Sequence, residues 1–548
     1  MEFRTWLGER RPILGVDTET TGLQWWTPNF LRTVQFGDGA TGWTIPWTWW
    51  GKLVKDSLAA YEDPIVFHNA KFDLHALANA GVSLRPGTRI HDTKMMSWLL
   101  EPPTKHGLKA LAMKHVDKNA GIFESQMKAG FAANGWDWAT VPLEWTPYWA
   151  YAATDPVFTC LLAEKFWPQL NASGYKAAYD TEMQVQDIAF RMEERGMRLD
   201  VEYTARKLEM MLDRLSVVGN TLHQYGVERP GSNLLIQAAL QAEGWEAEEW
   251  TPTGNAKLTA DILKGIDSDI APAVLEYRKL KKLTGSYLSN FLDKRSGDLL
   301  HASINTLAAR TGRMSVSDPA LQTLPRGPEI RRCFIPREGG KIISVDFDQI
   351  EARLFAAFAQ EPAMLQAILD GVDLHSLVAE AVGIPRQAAK AVNFGKLYGA
   401  GAAKIADTAG VTVEAAEEFL HMYEERFPGT VVFMDSTGHS RIFDRPGVRL
   451  RDGRVLPGDD GKEYALTNYM IQGTAALVLK EKMIDLDNAG LADYMVMPVH
   501  DEFIFDCPAA EADELLAAVT EACVDDSFGV HLTAGGDVWS NWGAKYEK

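Results

Sequence analysis

The sequence predicts a multidomain α/β protein: a mixed-sheet N-terminal domain, then a larger domain in which helical blocks are inserted around a small sheet. Three observations carry that expectation. A chain of 548 residues exceeds what one hydrophobic core usually organises, so two or more domains form. Residues 1 to about 170 alternate short apolar runs with helical segments, the pattern of an α/β unit. Beyond them, long charged helical stretches give way to strands and turns at two separate places, near Leu299 and near Tyr494.

In the N-terminal part, strands are expected at Ile13–Val16, Thr33–Phe36 and Ile65–Phe67, with helices at Asp73–Ala80 and Phe158–Phe166. From about 176 to 226 the pattern is long, charged and helical. A Pro/Gly/Asn stretch (ERPGSNLL) and a Trp/Glu-rich one (GWEAEEWTPTG) interrupt it before helix resumes through Lys257–Lys294. KIISVDFDQIEARL reads as a buried strand leading into a helix. Residues 361–440 are helical with Ala-rich apolar periodicity, and Tyr494–Phe505 forms two β-runs around Val499–Asp501, a hairpin.

Composition narrows the class. Hydrophobic residues are 46% and charged residues 24% of the chain, as in soluble globular proteins. No uninterrupted apolar run approaches the roughly 20 residues of a membrane helix, and the N-terminus lacks a signal peptide's apolar region and cleavage site. A cytoplasmic protein with no membrane partner is expected. Cys160, Cys333, Cys507 and Cys523 form no CxxC pair, which argues against a zinc site or disulfide framework. The net charge of −19 runs against nucleic-acid binding. Screening over about 10 Å, however, lets a local cluster such as Arg278, Lys279, Lys281, Lys282, Lys294 and Arg295 act alone.

Two regions carry chemistry. In ILGVDTETTGL, Asp17 and Glu19 are two apart on a strand, so they share a face while Val16 and Thr18 point away. Two adjacent carboxylates repel unless a cation lies between them, and hard oxygen donors favour Mg²⁺ or Mn²⁺. Asp73 follows on a helix that Asn69 could cap. Asp155 follows Tyr151 by four, but Pro156 suggests a helix starting there, with Asp155 as N-cap and Tyr151 outside it.

The second region has Asp346 near a strand end, Asp501 in the turn of PVHDEF beside His500, and a helix after Pro385. With that proline at N1, Arg386, Lys390, Phe394 and Tyr398 follow at four-residue intervals. Each step drifts by only about 40°, so the four make a slanting stripe with its cations near the anion-favouring N-terminus.

The stretches KIISVDFDQIE, RQAAKAVNFGKLY and PVHDEF, in that order, resemble motifs A, B and C of the family A DNA polymerases. Asp17, Glu19, Asp73, Asp155 and Tyr151 resemble the site of the DEDDy 3′→5′ exonucleases. The resemblance spans about residue 11 to Lys548, and the compact form looks like bacteriophage members, with no 5′-nuclease domain expected before Asp17.

The resemblance implies a ribonuclease H-like exonuclease domain at 1–172 and a polymerase right hand at 173–548. In the latter the thumb would span about 176–300, the palm about 301–360 and 455–548, and the fingers about 361–454. It implies template-directed DNA synthesis from dNTPs with proofreading in phage DNA replication, and two Mg²⁺ ions per active site, with Mn²⁺ as substitute.

By the same resemblance Asp346 and Asp501 hold metals in one site, and Asp17, Glu19, Asp73 and Asp155 in the other, where Tyr151 orients the attacking water. Arg386, Lys390 and His375 meet the triphosphate, Lys390 being a proposed acid for pyrophosphate. Phe394, Tyr398, Glu351 and Gln349 meet the incoming nucleotide; Glu351 excludes a 2′-hydroxyl, and Glu502 is a weaker acidic neighbour. Arg313, Gln322, Asn468, Gln472 and His500 touch primer–template, and Leu23 and Asn69 the terminal nucleotide in the exonuclease site.

Departures are Tyr464, where many relatives carry Arg, and Phe347–Asp348, where Tyr-Ser is commoner. The implied partners are primer–template DNA and dNTPs, with replisome proteins such as a helicase-primase and a single-strand binding protein. A monomer is expected. The thumb segment from Pro230 to Lys282 lacks a long insertion, so no thioredoxin-type clamp is expected.

Overall fold

The computed structural model describes residues 2–102 and 104–547. Its N-terminal sheet is built from β1 (Leu14–Thr20), β2 (Leu31–Gly37), β3 (Gly42–Pro46), β4 (Ile65–Phe67) and β5 (Ile90–Asp92). The spatial order is β3-β2-β1-β4-β5. β1 pairs antiparallel with β2 and parallel with β4, so the sheet is mixed, as the sequence pattern implies. β3 and β5 escape a periodicity reading because they are short and carry little apolar alternation. β1 is buried at every position except Asp17, which is half-buried. Carboxylates on such a strand are expensive unless something compensates them.

The helix that carries Tyr151 and Asp155 corrects an expectation. It runs from Thr146 to Ala172 and passes through Pro156, so Asp155 is not an N-cap and Pro156 is not at N1. Tyr151 therefore lies inside the helix, one turn before Asp155. An interior proline costs about 3 kcal/mol in lost bonding and crowding. Here tertiary packing outweighs it. Cys160, Leu162, Phe166 and Leu170 are fully buried on the same helix, each apolar side chain contributing about 1.5–3 kcal/mol. The sheet is shaped to receive the proline: a Cβ on Gly15 would collide with the Pro156 carbonyl, and one on Gly42 with the Ala153 carbonyl.

The Ala70–Asn79 helix holds a second correction. Asn69 is at its N-cap, in the left-handed region at φ 77°, but its side chain makes no cap bond. Asp92 caps instead: its carboxylate accepts the N–H groups of Asn69 at 3.0 Å and Ala70 at 2.8 Å. Asn69 Oδ1 accepts from the Lys94 ammonium at 3.0 Å.

In the larger part, the helices Lys176–Arg195, Val201–Gln224 and Ile270–Lys282 lead to a four-stranded antiparallel sheet. Its order is Met495–Val499, Glu502–Pro508, Gly340–Phe347, Ala534–Trp539. Helices from Pro362–Leu369 to Pro428–Gly438 fill the interval between the sheet's first strand in sequence and its last three. Of the expected basic cluster, Arg278 is spent within the chain, donating to Leu258 O at 2.6 Å and Asn233 Oδ1 at 2.8 Å. Lys294 pairs with Asp318, whereas Lys279, Lys281 and Lys282 stay exposed.

The Lys176–Arg195 helix ties the two parts together. Its Glu182, fully buried, accepts from Arg454 and from Lys480, each at 2.6 Å. Glu193 on the same helix pairs with Lys71 and His75 of the N-terminal part. Removing one partner of such a buried set strands the other charges, a cost of about 3–5 kcal/mol. Glu182→Gln is therefore expected to lower the thermal unfolding midpoint clearly, while the exposed Glu417→Gln does not. Equal midpoints by differential scanning calorimetry would show that the triad contributes nothing to stability.

Candidate active sites

Ligand oxygens of Asp17, Glu19 and Asp155 lie within 4.8 Å of one another. β1 supplies the first two and the Thr146–Ala172 helix the third, because the helix packs directly across the strand. Burial is the leading cause that raises the pKa of all three, and their mutual repulsion adds to it for Asp17 and Glu19. Asp73 is buried on the Ala70–Asn79 helix, and burial pushes it up to about 8. It is not one of the closest trio, but its charge also raises Asp17 and Glu19; it accepts from the Thr18 hydroxyl at 2.7 Å, so Thr18 does not simply face away. Tyr151 shares the site, its phenol pKa raised by burial first and then by Glu19. Its ring lies 6.0 Å from that of Trp138.

The second acidic site is built by strand register. Asp346 is paired with Glu502 across the central strands, and the Phe347 N–H donates to Asp501 O at 3.1 Å. Two residues, His500 and Asp501, connect the hairpin, with His500 exposed at φ 59°, so Asp501 stands beside Asp346. Burial, then Asp501 and Glu502, raise Asp346 to about 7, and burial raises Asp501. Asp346 Oδ1 is buried without a hydrogen-bond partner. Glu502 is otherwise engaged, accepting from Ser344 Oγ and from Lys545 at 2.9 Å. Crowded carboxylates in one site and an orphaned carboxylate oxygen in the other fit a hard divalent cation.

The Arg386–Leu397 helix reaches the helix that follows Asp346 through Tyr398, whose hydroxyl donates to Glu351. The Ala389 N–H bonds to Pro385 O, which places Pro385 at the N-cap and not at N1. Tyr398 falls one residue past the helix end. Arg386 makes a bidentate pair with Asp373, at 2.9 and 3.0 Å, and Gln349 Nε2 donates to the same carboxylate at 3.0 Å. His375, two residues after Asp373, is buried; its Nδ1 meets Asn393 Nδ2 at 3.1 Å, and burial lowers its pKa. Lys390 is half-buried on the helix face beside Tyr398. Glu351 is held from two sides, by the Arg313 guanidinium and by the Tyr398 hydroxyl at 2.9 Å. The Phe394 side chain lies outside the described residues.

The expected DNA contacts divide. Gln322 spends its amide inside the chain, accepting from Val316 N at 3.2 Å and donating to Pro498 O at 3.3 Å. Asn468 keeps a buried, unpartnered Oδ1 near the start of the Ala465–Asn488 helix, where Gln472 follows one turn on. Leu23 is 75% exposed, as a contact surface requires. Tyr464 is exposed at the N-cap of the Ala465–Asn488 helix and packs against Gly399.

Sequence reasoning missed Lys109, whose ammonium pairs with Asp155, and Lys545 on Glu502. It also missed Asp373 as the partner of Arg386. Only Asp373 carried a local signal, as an N-cap acceptor for Ser376 N.

A mixed sheet bearing one carboxylate cluster and an antiparallel sheet bearing two more carboxylates, in the part that also carries Arg386 and Lys390, make two separate acidic sites. The family profile "DNA polymerase family A" matches residues 231–544, and the profile "3′-5′ exonuclease" matches residues 7–171. The chain belongs to family A of the DNA polymerases and carries a 3′→5′ exonuclease domain.

It is 30% identical over 568 residues to a DNA polymerase of Mycobacterium phage L5, covering 99% of this chain and 95% of the relative. It is 29% identical over 580 residues to that of Mycobacterium phage D29, with the same coverage. DNA polymerase I of Pseudomonas aeruginosa is 28% identical, with 88% of this chain matching 57% of that protein. In structure the chain resembles the POL domain of Pol1 from M. smegmatis, solved with DNA primer-template and dNTP. The TM-score is 0.83 at 23% identity, covering 99% of this chain and 98% of that one, which establishes the fold. Among the described residues no helix is long and apolar enough to cross a membrane.

Proposed function

We propose that Asp346 and Asp501 form the DNA-synthesis centre and that Asp17, Glu19, Asp73 and Asp155 form the proofreading centre, each holding two Mg²⁺ ions, with Mn²⁺ as substitute. The observation that carries this reading is the register that sets Asp501 beside Asp346 while Asp346 Oδ1 stays without a partner. When bound, the metals would lower the pKa of the attacking oxygen and neutralise charge on the leaving group.

The chain's own residues do the rest. Arg386 is positioned to exchange its Asp373 carboxylate for a triphosphate, since the two anions compete for the same planar fork. Lys390, one turn along the helix, supplies a second cation and a proton for pyrophosphate. Glu351, pinned by Arg313 and Tyr398, cannot swing away from a ribose, so it crowds a 2′-hydroxyl. Glu351→Ala is expected to raise ribonucleotide incorporation at least about tenfold relative to deoxynucleotide, read by competitive primer extension. An unchanged ratio would remove Glu351 from sugar selection. In the other centre, Tyr151 orients the attacking water, and Leu23 and Asn69 seat the terminal nucleotide.

This reading assigns the chain to phage DNA replication in the host cytoplasm, as a monomer on primer–template DNA with replisome proteins as partners and without a thioredoxin-type clamp. Primer extension with Mg²⁺, with and without dNTPs, on matched and mismatched 3′ ends tests it. Extension of matched ends together with removal of mismatched ones is the expected result. Degradation without any extension would favour a nuclease that keeps its polymerase half only as a DNA-holding platform.

A further inference from the structure

The exonuclease carboxylates are accompanied by a lysine that the proposed catalytic set does not use. Lys109 is the second residue of the Leu108–His115 helix and reaches across to the Thr146–Ala172 helix. Its ammonium pairs with Asp155 Oδ1 and sits 3.4 Å from Thr154 Oγ1. It lies over the Tyr151 ring at 4.6 Å from the centroid and near the Phe158 ring at 5.4 Å. Both partners are well buried, with side-chain exposures of 12% for Lys109 and 9% for Asp155. Burial in an aromatic cage removes most screening, so this charge acts strongly on its neighbours. It opposes the burial-driven rise in pKa at Asp17, Glu19 and Asp155 alike. A cation in this position pairs with one of the three carboxylates whose oxygens lie within 4.8 Å of one another.

We propose that Lys109 is a resident counter-cation of the exonuclease site, competing with the divalent metal for Asp155 and so setting the metal concentration at which proofreading operates. The inference rests on the reading of the Asp17, Glu19 and Asp155 cluster as a metal site. Two consequences follow from charge alone. With metal absent, Lys109 keeps the carboxylates from repelling one another apart. Metal and ammonium compete for the charge of the same Asp155 carboxylate, which weakens metal binding relative to a site without the lysine. No comparable cation pairs directly with Asp346 or Asp501 among the described residues; Lys545 pairs with Glu502 instead. The two centres should therefore differ in metal demand.

The test measures Mn²⁺ binding to the full chain by electron paramagnetic resonance, in a background carrying Asp346→Ala and Asp501→Ala. Lys109→Met removes the charge and keeps an apolar stem against Tyr151 and Phe158. It is expected to bind Mn²⁺ at the exonuclease site at least about tenfold more tightly, because removing a unit charge about 4 Å from a divalent ion is worth that factor even at the dielectric of water. Lys109→Arg, which keeps the charge, is expected to stay near the wild-type affinity. In the chain with an intact polymerase site, the Mg²⁺ concentration for half-maximal degradation of single-stranded 3′ ends should fall in Lys109→Met, while that for primer extension does not move. Unchanged or weaker Mn²⁺ binding in a folded Lys109→Met chain overturns the proposal. A separate control isolates the underlying reading. If Asp17→Ala with Glu19→Ala binds as many Mn²⁺ ions as before, the cluster is not the metal site and the proposal falls with it.

Discussion

Asp346→Ala and Asp501→Ala are each expected to lower primer extension at least about a thousandfold while leaving primer–template affinity within a few-fold. The asymmetry follows from where the two carboxylates act. DNA affinity comes mainly from contacts to phosphates spread over the duplex, to which two half-buried carboxylates contribute nothing favourable. Charge on the leaving pyrophosphate develops only in the transition state, so a lost metal ligand raises that barrier more than it weakens ground-state binding. About 1.4 kcal/mol per factor of ten puts a thousandfold loss at roughly 4 kcal/mol, well within what a buried charge interaction supplies. The fold should survive, because Asp346 Oδ1 makes no hydrogen bond and replacing the carboxylate removes a crowded charge from the sheet. Single-turnover extension and a DNA-binding titration read the two halves of the prediction. Ordinary turnover in either variant would place the synthesis centre elsewhere.

The second large effect is on the other activity. Asp17→Ala with Glu19→Ala is expected to abolish degradation of single-stranded 3′ ends while extension stays within a few-fold. Both side chains lie on β1, in the core formed by the N-terminal sheet and its helices, whereas Asp346 and Asp501 are on the four-stranded sheet of the larger part. The junction between the parts runs through Glu182 and Glu193, neither of which touches Asp17 or Glu19 in any hydrogen bond. Nothing in that connection passes the loss of two β1 carboxylates on to the four-stranded sheet. Mutation frequency during copying should rise in the same variant. Extension falling together with degradation would sink the two-centre picture.

How much of this was legible in the sequence differs by site. Asp346 was readable because a buried strand, KIISVDF, ends in a carboxylate and runs straight into a helix. Asp501 was readable because a hairpin turn stands between two apolar runs. The stripe Arg386, Lys390, Phe394 and Tyr398 follows from helical spacing alone, although Tyr398 ends one residue beyond the helix.

Local rules failed where distant packing overrode them. Pro156 should begin a helix, yet the Thr146–Ala172 helix runs through it, because Gly15, Gly37 and Gly42, one on each of β1, β2 and β3, leave room for that turn of the helix. Asn69 should cap its helix, yet Asp92, 23 positions later, does so in its place.

By itself, the sequence determined the kind of molecule and most of its chemistry: most of the elements, the carboxylates, the cationic helix and, through the resemblance of its motifs, the family. These depend on residue type and near spacing, which periodicity and motif report directly. The tertiary structure alone decided which charges meet. Lys109 reaches Asp155, Asp373 takes Arg386, Lys545 takes Glu502, and Glu182 gathers Arg454 and Lys480 from 272 and 298 positions away. Pairing of buried charges is set by how helices and strands pack across the chain, and burial is what makes each pair strong; neither is written in local spacing.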